Sequence, residues 1–202
     1  MAPSLLGALS IIISPHANNA VNLFATSDDP LEAAYSLPDK LIVKMPLENA
    51  QMLAANFSEE FLGYGGLSKK DGGHYRTTHK NHPCTKWGRE CEANTAWMIL
   101  HGLGLCAEFR RRYGKIHASL RAHLDAKRLF EQHGGDLSSW RDHTPFARAI
   151  SEALFPHIRL NTSINTTEAY RQYLHHKSYA KYKVAERTPA WWDQTLFESI
   201  HR

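Results

Sequence analysis

The chain has 202 residues, 43% of them hydrophobic and 22% charged, which suits one domain with its own core and excludes a disordered chain. Its three cysteines, Cys84, Cys91 and Cys106, form an odd set with no disulfide framework, as expected in a reducing compartment. The formal charge of +4 is split: residues 1–66 hold 2 Lys/Arg against 7 Asp/Glu, a balance of −5, and residues 67–202 hold 22 against 13, a balance of +9. The basic surplus is either a mildly asymmetric solvated surface or a patch for phosphate backbones, acidic substrates or membranes.

Leu5 to Ile13 is an apolar run too short to span a bilayer. No Lys or Arg precedes it, so it also makes a poor signal peptide. Residues 1–20 are expected to be an extension outside the core, poorly packed, with the folded domain covering 21–202. Val21 to Ala25 is a short apolar entry, extended in outline. Asp28-Asp29-Pro30 starts a short helix, Pro30–Ser36, with an acidic cap and proline in the first turn. A second helix runs from Pro38-Asp39 to about Ala55, and Pro46 inside it should kink it or open one hydrogen bond.

Phe57 to Arg76 reads as loop, with glycines at 63, 65, 66, 72 and 73. The longest helix is expected from about Pro83 to Tyr113, ended by Gly114. Gly102 and Gly104 either weaken its middle or let a neighbour pack close. Further helices are expected at Ser119–Gln132, from Thr144-Pro145 to about Phe155, and from Thr166 to about Val184. An aromatic tail, Thr188-Pro189-Ala190-Trp191-Trp192, carries a short final helix. No strand alternation of useful length is present. The fold class is all-α, one domain of about six to seven helices.

The segment from Thr77 to Trp87 concentrates polar groups. Pro83 fits a first helical position, so His79, Lys80 and His82 approach a helix N-terminus, where free N–H groups and the dipole favour an anion. A well-capped surface loop looks the same. His79, His82 and Cys84 match no strong zinc spacing and have no second ligand pair, so no metal is expected. The 13 histidines are an excess, and most serve as surface or cap residues.

On the second helix, Lys40, Lys44, Glu48 and Gln51 share one face, either a solvated stripe or the wall of a polar pocket. In a pocket, Lys44 is a candidate cation or nucleophile and Glu48 a candidate general acid or base. On the long helix, Trp87, Cys91, Asn94, Met98, His101 and Leu105 mark an inner line, in which Asn94 and His101 are satisfied core groups or a pocket floor. Arg110, Arg111, Arg112 and Lys115 complement a helix C-terminus or touch phosphates. Tyr170, Tyr173, Lys177 and Lys181 follow at helical spacing, with tyrosines packed inward or offered for stacking.

Several segments together resemble a family of small helical bacteriophage proteins. They are Asn22–Thr26, Asp39–Met45 with Glu48 and Gln51–Leu53, His79–Cys84 with Trp87, Arg112–Lys115 with His117, Thr144–Ala147, Tyr170 with Tyr173, and Pro189 with Trp191-Trp192. The family is similar to the α-glutamyl/putrescinyl thymidine pyrophosphorylases, phage DNA-base enzymes related to DNA glycosylases. Pro46 and residues 1–20 depart from its pattern.

The resemblance implies transfer of an amino acid or amine onto a pyrophosphorylated 5-hydroxymethyluracil in DNA, in the host cytoplasm, with no cofactor and no membrane. It places Lys44, Glu48, His79 and His82 in catalysis, and Lys40, Lys80, Arg110, Arg112, Lys115 and Lys177 on DNA or phosphate. A second group it resembles, the pyrimidine-dimer DNA glycosylases, implies instead an amine nucleophile at Lys40 or Lys44, with Glu48 assisting. Met1-Ala2-Pro3 suits poorly the processed terminal amine that such enzymes use. The remaining alternative is a non-catalytic DNA-binding module.

Overall fold

The computed structural model describes residues 21–202, and the expectation for residues 1–20 lies outside that range. Among the described residues the chain is all-α, with one isolated bridge, Ser68 to His74, and no longer strand. The helices are α1 (Pro30–Tyr35), α2 (Asp39–Phe57), α3 (Pro83–Trp87), α4 (Glu92–Tyr113), α5 (Leu120–Gln132), α6 (Pro156–Arg159), α7 (Thr166–His175) and α8 (Gln194–Ile200), with 3₁₀ turns at Leu137–Asp142 and Ala185–Arg187. No described helix is long and apolar enough to cross a membrane.

The local signals act as their chemistry dictates. Asp29 caps α1 by accepting from the Leu31 and Glu32 amides, and Pro30 takes the first position, where no N–H is needed. Asn165 and Asp193 cap α7 and α8 in the same way. Gly114, at φ 66°, closes α4. α4 is the central element, packed against α1, α2, α5 and the Leu137–Asp142 turn. Gly102 and Gly104 permit close approach. A Cβ at 104 would meet Ala34 Cβ and Leu31 Cδ2 at 3.0 Å, and one at 102 would lie 2.4 Å from His123 Nδ1.

Three expected boundaries are corrected. The long helix from Pro83 to Tyr113 is two helices, broken between Gly88 and Cys91. Gly88 sits so close to Met98 that a Cβ would lie 1.8 Å from its Sδ. The carbonyls freed at the break are taken by side chains of α4: Asn94 Nδ2 donates to Trp87 O at 2.8 Å and Thr95 Oγ1 to Gly88 O at 2.7 Å. Asn94 is thus a satisfied core residue.

Residues from Thr144 to Phe155 are not helical. Their backbone is held by distant side chains. The Tyr170 hydroxyl donates to Ala147 O and accepts from the Ala149 amide, both at 2.9 Å, and Asn94 Oδ1 accepts from the Thr144 amide. α7 stops at His175 instead of continuing to Val184, because the following residues cross to the start of α2. There Lys181 O accepts from the Asp39 amide, and the Lys183 amide donates to Asp39 Oδ2. Pro46 is carried within a continuous α2; it has no N–H for the Ile42 carbonyl, and its own carbonyl pairs with His123 Nε2 at 2.9 Å.

Candidate active site

A cavity of about 490 Å³ opens between α2, the start of α3, the 149–151 segment and the residues that follow α7. That volume suits a small organic ligand. α2 contributes Lys40 and Lys44 one turn apart, His82 and Pro83 come from the start of α3, and Tyr173, Lys177 and Tyr179 from the end of α7 and beyond. Asn22 and Phe24 belong to the extended Val21–Thr26 segment, which is wholly buried. Phe24 holds φ at 48°. A bulky residue in that conformation is strained, and such strain persists where surrounding contacts fix it.

Glu48 lies behind this wall. Its side chain is 7% exposed; Lys44 Nζ reaches Oε1 at 2.6 Å, and the Asn22 amide donates to Oε2 at 3.2 Å. A buried carboxylate with a half-exposed ammonium partner is arranged to accept or pass a proton toward the cavity. Lys40 Nζ lies 5.3 Å from the Tyr179 ring centre, and Lys177 Nζ 4.1 Å from that of Tyr173. Lys177 is half-buried and has no carboxylate within ion-pair distance among the described residues. Burial lowers its pKa from the ordinary value.

His82 caps α3, its Nδ1 accepting from the Cys84 amide at 3.2 Å. That bond leaves the ring proton on Nε2. Burial, and then the nearby His79, lower the pKa of His82, so it is neutral at pH 7 and offers an N–H donor. The expected anion site at this helix start is corrected. α3 has only five residues, and His82 itself occupies the Cys84 amide. Cys84, buried beside Tyr170, has its thiol pushed up to about 12, chiefly by burial, and is no nucleophile.

Lys40, Lys44, His82 and Lys177 therefore border one cavity, and Glu48 stands behind it, paired with Lys44. The other expected residues do not. His79 is exposed with φ at 56° and holds the loop by accepting from the His82 amide. Lys80 is exposed and paired with Glu60 at 2.9 Å. Arg110 and Lys115 are exposed at the end of α4, away from the cavity lining. Arg112 is corrected from a phosphate contact to a core ion pair: its side chain is fully buried, bonded to Asp39 and Glu108 and to the Tyr35 carbonyl. His101 is buried in the core and does not border the cavity.

Sequence reasoning missed Asn22 as the tether of Glu48, and Tyr179 as a wall. The tether is the backbone amide of Asn22, which any residue but proline offers, so the sequence carries no signal for it; the Asn22 side chain donates instead to Ala149 O and accepts from the Leu23 and Phe24 amides. Among the described residues no three His, Cys, Asp or Glu side chains are grouped as a metal site. No family model, curated protein or solved structure matches the chain.

Proposed function

We propose that this chain is a DNA-modifying transferase, joining an amino acid or amine to the C5 methylene of a pyrophosphate-activated thymine, the activity implied by its resemblance to the α-glutamyl/putrescinyl thymidine pyrophosphorylases. The reading is carried by the convergence of three ammonium groups, Lys40, Lys44 and Lys177, on one cavity, with the buried Glu48 carboxylate behind it and joined to it through Lys44. The target base must leave the duplex to enter it. Tyr173 and Tyr179 offer apolar ring surface to the base.

In the proposed step the amine nitrogen bonds to the methylene carbon, and the bond from that carbon to the pyrophosphate oxygen breaks. The leaving group gathers charge, which the lysines neutralise and the His82 Nε2–H stabilises by donating a hydrogen bond. The proton released by the amine passes to Glu48 by way of Lys44, which gives its own proton to the carboxylate and takes one from the amine. The step needs no oxidant, reductant or cofactor, and would act on phage DNA in the host cytoplasm.

One observation favours a second reading. Lys177 is a half-buried amine, shifted toward its neutral form and without a carboxylate partner among the described residues. Such an amine suits attack on a sugar C1′, as in a glycosylase with lyase activity. In that scheme Lys177, in place of Lys40 or Lys44, bonds to C1′ as the base departs.

The two readings separate in one pair of assays. Pyrophosphate released from DNA bearing the activated base plus an amine, and lost in Glu48→Gln, supports the transferase. A borohydride-trapped adduct on DNA that disappears in Lys177→Met supports the glycosylase. Duplex binding without either product leaves a non-catalytic module and overturns both.

A further inference from the structure

A second cavity, of about 590 Å³, adjoins the first along α2. The first is bordered by Lys40 and Lys44, the second by Leu47 and Gln51. Those residues follow one another at steps of four, three and four, so they form one row on one helix face. The opposite bank is shared as well: Thr78 borders the second cavity, and His82, four residues on, borders the first. From Lys40 to Gln51 the row runs about 16 Å at a rise of about 1.5 Å per residue.

The second cavity has its own chemistry. Lys69, Lys70 and Arg76 border it against one carboxylate, Asp71. Asp71 is occupied within its own turn, where Oδ1 accepts from the Gly73 amide at 3.1 Å. Tyr75 is fixed by a bond from its hydroxyl to Ser119 Oγ at 3.1 Å, and the Lys69 ammonium lies 5.9 Å from its ring centre. The loop carrying these residues is moored to α5 by the Ser68 amide, which donates to Asp125 Oδ2 at 3.0 Å. Thr78 Oγ1 is buried with no hydrogen-bond partner among the described residues. Leu47, an apolar side chain, is 43% exposed on the floor between the banks.

We propose that this second cavity binds the single strand of DNA that flanks the base held in the first. Cations for the phosphates, a fixed aromatic ring and an exposed leucine for base faces, and a spare hydroxyl are the components of a sequence-tolerant single-strand groove. The direction of the strand, away from the base site along α2, follows from the shared helix face. The proposal rests on the first cavity being the base site, and it shifts DNA recognition from the arginines at the end of α4 to the loop from Lys69 to Thr78.

The test measures binding of the full chain to a fluorescent ten-nucleotide oligothymidylate across a salt series, alongside binding of inorganic pyrophosphate. The triple variant K69A/K70A/R76A should flatten the log–log salt slope by about 2, at about 0.7 per lost phosphate contact on a single strand. Tyr75→Leu should weaken oligonucleotide binding about tenfold, while Tyr75→Phe keeps it. Neither change should alter pyrophosphate binding, which Lys44→Ala should weaken. An unchanged slope in the triple variant overturns the strand site and leaves the first cavity's reading intact. A flattened slope in a chain that binds no pyrophosphate supports the strand site and counts against the transferase. The triple variant replaces polar loop side chains, Tyr75 packs half-buried against the core, and a matching unfolding midpoint in each variant excludes misfolding as the cause.

Discussion

The Asn22 backbone amide donates to Glu48 Oε2 at 3.2 Å, joining the start of the described chain to the middle of α2 across 26 residues. The bond fixes the carboxylate while Lys44 holds its other oxygen at 2.6 Å. Glu48→Gln keeps an oxygen for Asn22 but removes the charge and the proton acceptor. The expected result is a fall in turnover of about 10² to 10⁴-fold with little change in stability. Glu48→Ala should in addition cost about 1–3 kcal/mol, because the Asn22 amide is left buried and unpaired. Turnover assays paired with urea unfolding of both variants check this, and a fully active Glu48→Gln protein refutes the assigned role.

Arg112 should prove structural. It bonds to Asp39 at 2.9 Å and to Glu108 at 2.6 Å, both buried, and so pins α4 to the start of α2. Burial alone would raise the pKa of Glu108, but its bonds to Arg111 and Arg112 outweigh that and hold it low. Arg112→Ala leaves the buried Asp39 without its cation and Glu108 held by the exposed Arg111 alone, and should cost about 3–5 kcal/mol. Arg110→Ala and Lys115→Ala should leave both the unfolding midpoint and oligonucleotide affinity near wild type. Calorimetry and the same salt-series binding measurement test both statements.

Acid should destabilise the protein through its interior. His101 and His123 are fully buried around Asn49, with His101 Nδ1 3.4 Å from Asn49 Nδ2. Burial depresses His101 to about 3, helped by the nearby His123. It depresses His123 to about 4 against the opposing pull of the Pro46 carbonyl. Both bind a proton more readily when unfolded, so stability rises with pH across the window between these values and about 6.5, and falls as pH drops through it. The slope reaches up to about 1.4 kcal/mol per pH unit for each histidine. His123→Gln keeps an N–H for Pro46 and should roughly halve that slope. Urea midpoints that stay flat from pH 6.5 to 4.5 would contradict the assignment.

Gly88 should tolerate no side chain. A Cβ there collides with Met98 Sδ, and Met98 is fully buried. Gly88→Ala should cost about 1–3 kcal/mol or more through overpacking. Adding Met98→Ala vacates the space, so the double variant should lose less than the sum of the two single losses. A double-mutant cycle by chemical denaturation measures this coupling, and strict additivity would refute it.

Much of the architecture was legible from punctuation and spacing. Asp29-Pro30 and Gly114 mark helix ends by local chemistry alone, and α1 begins and α4 ends at them. The Lys40–Lys44–Glu48 stripe was readable because helical spacing fixes which residues share a face. What escaped was set by distant partners. Nothing near Gly88 announces Met98, and nothing in Thr144–Phe155 announces that Tyr170 and Asn22 will bond its backbone. Composition equally gives no way to choose which of three adjacent arginines turns inward. The cations of the 69–76 loop escape sequence reasoning because the glycines at 63, 65, 66, 72 and 73 mark the wider stretch only as loop, while its anchors lie on α5 and just before it.

The buried Val21–Thr26 segment has a consequence for how the protein is made. Asn22 Nδ2 reaches Ala149 O, Arg171 Nε reaches Thr26 O, and Asp39 binds the backbone at Lys181 and Lys183. These partners lie between 127 and 145 residues apart in sequence. On a ribosome, which delivers the chain from its N-terminal side at about 5–20 residues per second, the α2 wall emerges early and must wait for the residues after α7. The cavity is therefore closed only once the residues that follow α7 have emerged, and a nascent chain stalled before Lys177 carries half a site.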